Sequence, residues 1–169
     1  DREGGLWLSL NNGIAHVDRG PLTIFDTRRG LPTETIHEIV RHRGRLYLAA
    51  NLGLYTLEPG NALDGGARLR VVDGIPGRVM SLATHASGLI VANRRQAILV
   101  DGDQRTRIGG EYSTIHQLYC SPTDPDRIFE GFTQGLAAMR WQDGGWVDEG
   151  RDAVEQQGRL GRHLLIEHM

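Results

Sequence analysis

Apolar residues in this chain gather in short runs broken by glycine and proline, with no sustained helical periodicity. The stretch from Gly30 to Glu58 shows the pattern. An apolar strand around Ile36, Ile39 and Val40 leads to a turn at Arg43-Gly44-Arg45, a second strand from Leu46 to Ala49, a turn near Gly53 and a third strand from Leu54 to Leu57. Alternation within the strands is incomplete, which suits sheets covered on both faces rather than sheets with one wet face. The one helix-like stretch, Asp152 to Gln157, is short and ends at Gly158.

The same order of strands and turns returns along the chain. Gly5-Leu6-Trp7-Leu8 with Gly13-Ile14-Ala15, Gly44-Arg45-Leu46-Tyr47 with Gly53-Leu54-Tyr55, Gly88-Leu89-Ile90-Val91 with Ala97-Ile98-Leu99, and Arg127-Ile128-Phe129-Glu130 with Gly135-Leu136-Ala137 are equivalent. Between them fall apolar strands at Ile36 to Val40, Val79 to Ala83, Ile115 to Tyr119 and Leu164 to Ile166. Trp7, Tyr47, Ile90 and Phe129 set a repeat of about 40 residues, enough for four short strands and their turns. The expected fold is all-β: a β-propeller of about four blades of four-stranded antiparallel sheet. Its units lie near 1–40, 41–83, 84–122 and 123–169, with no separate second domain. Because rings of this kind need roughly six to eight blades, the segment is expected to be part of a larger ring or to pair as a homodimer that completes one.

Composition changes this picture little. The 169 residues include 23 glycines, about twice the usual share and suited to many tight turns. A net charge of -2 gives no basic footprint for nucleic acid, and no apolar stretch is long enough to span a bilayer. The lone Cys120 excludes an internal disulfide.

Candidate chemistry is sparse. His37, His42, His85 and His116 fall at similar places in successive units without metal-ligand spacing, and read as polar residues at the ends or exposed faces of innermost strands. No Gly-x-Ser-x-Gly elbow singles out a nucleophile. Asp101/Asp103 and Asp124/Asp126 sit beside Gly or Pro in turns, where Asp caps the backbone. No metal or cofactor is implied. Trp7, Tyr47 and Phe129 recur with the repeat and are expected to pack between blades, whereas Trp146 anchors the Asp143-Gly144-Gly145 hairpin.

Gly5-Leu6-Trp7-Leu8, Asn12-Gly13-Ile14, Asp18, Phe25 and Gly30-Leu31-Pro32 together resemble the two-component regulator propeller repeat, whose form is D-G-x-L-W-[IVL]-G-T-x-x-G-L followed by an aromatic and a Gly-Leu-Pro turn. Tyr47 replaces the Trp in the second unit, and the third and fourth depart further. The resemblance implies a non-enzymatic, periplasmic or otherwise extracytoplasmic sensor segment of a bacterial histidine kinase, hybrid kinase or diguanylate cyclase, the output domain lying elsewhere in the parent protein. A protein-interaction scaffold and a fragment of a propeller carbohydrate-active enzyme are the alternatives.

In a propeller, loops that enter innermost strands and turns between second and third strands share one face. That places Arg28, Arg29, Asn51, Arg78, Arg94, Arg95 and Tyr112 together as a candidate ligand-binding set. Its arginines are suited to carboxylate or sulfate groups. The expected partner is a small molecule or glycan, or a partner protein. Neither nucleic acid nor membrane contact by this segment is expected.

Overall fold

A computed structural model describes residues 5–10, 13–17, 23–25, 27, 35–58, 67–110 and 114–153. They form fifteen strands in four antiparallel sheets. The first sheet holds β1 (Leu6–Leu10), β2 (Gly13–Val17) and β3 (Thr23–Phe25). The second runs β4 (Ile36–His42), β5 (Arg45–Ala50), β6 (Gly53–Glu58) and β7 (Arg68–Val71). The third runs β8 (Val79–His85), β9 (Gly88–Asn93), β10 (Ala97–Asp101) and β11 (Gln104–Ile108). The fourth runs β12 (Ile115–Cys120), β13 (Arg127–Phe132), β14 (Gly135–Gln142) and β15 (Gly145–Ala153). Strand order within each sheet follows the chain, as tight hairpins dictate.

Each apolar strand that the sequence places between units pairs with the three strands after it, so the sheets are offset by one strand from the sequence units. The Leu164 to Ile166 strand and the Gly30-Leu31-Pro32 turn lie outside the described residues. The helix-like reading of Asp152 to Gln157 needs correction at its start. Asp152 and Ala153 close the β14–β15 ladder opposite Leu136 and Gly135, and residues 154–157 lie outside the described set. Ladder pairing overrides local helix propensity there.

Apolar layers fill the seams between sheets. Ile14 and Phe25 meet Leu46, Leu48 and Leu69 across the first seam. Leu54 and Ala49 meet Leu82, Leu89 and Val91 across the second, and Ile90, Ala97 and Ile108 meet Ile115, Ile128 and Met139 across the third. A fully buried Leu or Ile contributes about 1.5–3 kcal/mol, so the seams rather than the turns hold the arrangement together. The end sheets differ. Leu6, Leu8 and Leu10 are exposed although their counterparts Leu46, Leu48 and Ala50 are buried, and Leu136 is exposed where Ile14, Leu54 and Ala97 are fully buried.

Strands β4, β8 and β12 lie side by side at the inner edge of their sheets. Each breaks register with its hairpin partner at the same place, between Ile36 and Glu38, Val79 and Ser81, and Ile115 and Gln117. Glu38 Oε2 accepts the Leu82 backbone N–H (2.6 Å) and the Ser81 hydroxyl (2.7 Å). Ser81 Oγ in turn accepts the Leu118 N–H (3.0 Å) and the Gln117 side-chain N–H (3.2 Å). Equivalent residues thus tie each inner strand to the next, in place of ladder bonds that separate sheets cannot make.

Candidate functional site

Consecutive hairpins alternate ends of an antiparallel sheet, so turns β5–β6, β9–β10 and β13–β14 share one end with the connections into β8 and β12. Asn51, Arg78, Arg94 and Arg95 all lie at this end. Arg28, Arg29 and Tyr112 lie outside the described residues.

Arg78, Arg94 and Arg95 line one open groove of about 830 Å3, joined by Arg107 at the end of β11 and by Pro76, Gly77, Asn93 and Gln96. Asn93 builds its wall. The side chain is buried, its Oδ1 accepts the backbone N–H of Arg95 (2.9 Å) and Gln96 (3.0 Å), and its Nδ2 donates to the Pro76 carbonyl (3.2 Å). This Asx turn fixes Arg94 and Arg95 at the rim against the segment that enters β8. Asn51 does not line the groove. Its Oδ1 accepts the Arg78 Nε–H and lies 2.9 Å from His37 Nε2, so it orients Arg78 from behind.

Several arginines elsewhere meet carboxylates: Arg43 with Asp101, Arg70 with Glu58, Arg127 with Glu149, and Arg140 with both Glu149 and Asp124, whereas Arg105 donates to backbone carbonyls. Among the described residues, Arg94 and Arg95 meet no acidic partner, and no carboxylate lines the groove. Four guanidinium groups border one concavity, a setting that favours an anionic group there. Each can donate a planar pair of N–H groups to carboxylate or sulfate oxygens.

Sequence reading missed Arg107 and Asn93. Arg107 sits on a strand rather than in a loop, and only the groove's closure brings it in. The signal for Asn93 was present in Asn93-Arg94-Arg95-Gln96, a turn that an Asx side chain closes.

A second polar cluster forms at the opposite end. His85 Nδ1 lies 2.8 Å from Ser87 Oγ and accepts the Ser87 N–H at 3.0 Å, and Nε2 lies 3.2 Å from Asp126 Oδ1. Trp146 Nε1–H donates to Ser87 Oγ (3.2 Å), and Trp141 and Trp146 pack on the imidazole. His85 is the last residue of β8, at the end of an innermost strand as expected, and it is buried because the fourth sheet's tryptophans cover it. Trp146 does more than anchor its own hairpin: it clamps the fourth sheet to the β8–β9 turn. Ser, His and Asp meet here without any signature spacing. With Nδ1 held by a backbone N–H and Oγ by an indole N–H, the geometry is that of an interlock between sheets.

No family model matches the chain, and no curated protein matches it. Among solved structures, the chain superimposes on two crystal structures from B. thetaiotaomicron. They are of the extracellular domain of BT4673, described in one case as a putative one component system and in the other as a putative hybrid two component system. The TM-score is 0.68 for both; identity is 21% and 19%, over 86% and 90% of this chain. The fold is a β-propeller. Its four sheets are blades, and β4, β8 and β12 are innermost strands, in accord with the two-component sensor propellers that the sequence resembles. The chain spans about a fifth of the length of each matched structure (21%).

Proposed function

We propose that these blades are the ligand-sensing, non-enzymatic part of an extracytoplasmic receptor propeller, and that the arginine groove receives an anionic ligand group, a carboxylate or a sulfate. The observation that carries this reading is the groove itself: among the described residues, Arg94 and Arg95 stand without acidic partners beside Arg78 and Arg107, on a turn locked by Asn93. The matched extracellular domains of a signalling protein support the receptor context. A propeller blade set suits this role, because a ligand that bridges the β8 entry and the β9–β10 turn favours whichever arrangement of the two it binds more tightly.

Calorimetric titration with sodium sulfate and with malonate tests the assignment. The R94A/R95A double variant should bind either anion at least about tenfold more weakly, the loss of two charge-assisted contacts. Equal affinity in the double variant and the wild type overturns the assignment.

A further inference from the structure

Glu130 departs from the repeat. It is the fourth residue of β13, where β5 carries Leu48 and β9 carries Val91, both fully buried. Glu130 is equally buried, and among the described residues neither carboxylate oxygen has a hydrogen-bond partner. Its neighbours are apolar or like-charged. Leu118 of β12 and Ala137 of β14 lie directly opposite in the ladders, Met139 of β14 packs in the same seam, and Asp148 of β15 is the charged group that acts on it. From the third blade it approaches Gly109, the residue that follows β11. Gly109 has φ +69°, and a Cβ there would lie 2.7 Å from Met139 Sδ and 3.4 Å from Glu130 Oε1.

An isolated carboxylate in such a site is costly, whereas the protonated acid is tolerated. Burial first, and then repulsion from Asp148, push the Glu130 carboxyl up to about 7. Arg107 lies two residues before Gly109 and lines the arginine groove.

We propose that Glu130 is a proton-controlled latch on the seam between the third and fourth blades, which holds Gly109 and the end of β11 in place when neutral and releases them when ionised. The part of this inference that concerns the groove rests on the anion-binding reading above. Protonation keeps Arg107 in position; ionisation draws water into the seam, moves the end of β11 and adds negative charge near the groove. The anion is therefore held more tightly below neutral pH than above it.

A carboxyl raised above its unfolded-state range contributes stability that is fully present below about 4.5 and is lost as pH rises through about 7. Backbone amide NMR of Arg107, Gly109 and Gly110 between pH 5 and 9 should show a common transition near 7, absent in E130Q. Since a buried amide can also strain the seam, E130L, the residue of the second blade, is the companion variant, and it should be folded and pH-flat. Absence of the transition in wild type, or its persistence in E130L, overturns the latch. Sulfate affinity should fall about threefold or more between pH 6 and 8 in wild type and stay level in E130L. Sulfate binding that is equally pH-dependent in both overturns the link to the groove. Failure to bind sulfate at any pH overturns the anion-binding reading and with it that link, while the amide transition still decides the latch.

Discussion

Alanine in place of Gly88 is expected to destabilise the protein by about 3–5 kcal/mol, close to the whole stability of a small domain. Gly88 opens β9 with φ +156°, and a Cβ there would lie 2.6 Å from the Val100 carbonyl oxygen and 2.9 Å from Leu99 Cδ1. The oxygen belongs to β10, whose Val100 pairs with Leu89, so it cannot withdraw without opening the ladder at the centre of the third blade. Overpacking of about 1–3 kcal/mol combines with backbone strain of similar size. Gly102 is the control. It too has positive φ (+57°), yet a Cβ there meets nothing within 4 Å, so alanine should cost about 1–2 kcal/mol. Urea denaturation of both variants gives the comparison, and a loss at Gly88 no greater than that at Gly102 would show that the third blade is looser than the structure describes.

The second large effect is expected at Ser81. Removal of its hydroxyl in Ser81→Ala leaves the buried Leu118 N–H without an acceptor and deprives the Glu38 carboxylate of one of its two donors. An orphaned buried group costs about 1–3 kcal/mol, so a total of about 2–4 kcal/mol is expected, since one hydroxyl serves two blade junctions. Hydrogen exchange at the Leu118 amide should accelerate along with global destabilisation. A variant within about 0.5 kcal/mol of wild type would contradict the role of this residue as the tie between β8 and β12.

Much of the fold is legible in the chain because turns and strands obey local rules. Gly44, Gly53, Gly102 and Gly144 take positive φ at hairpins or strand starts, and the apolar runs between them became the strands. The end of β15 was hidden, since the ladder that carries it past Gly150 to Ala153 depends on pairing with β14 rather than on local propensity. Residues of the groove and of the His85 cluster divide in the same way. Arg94, Arg95 and Arg78 were readable from their loops once the propeller was expected. Arg107 reaches the groove from a strand, and the His85, Ser87 and Asp126 contact joins two blades, so neither has a local signature. Glu130 was readable in principle, as the polar member of an otherwise aliphatic column with Leu48 and Val91, but its isolation emerges only when the seam around it is assembled.

The central claim is that the arginine groove is where this propeller receives an anion. Crystals grown with sodium selenate, a tetrahedral dianion whose selenium scatters anomalously, test it most directly. An anomalous peak is expected in the groove, within hydrogen-bond reach of Arg94 and Arg95 beside Arg78 and Arg107. An empty groove with selenate bound elsewhere, such as beside Arg43 at the opposite end, would contradict it.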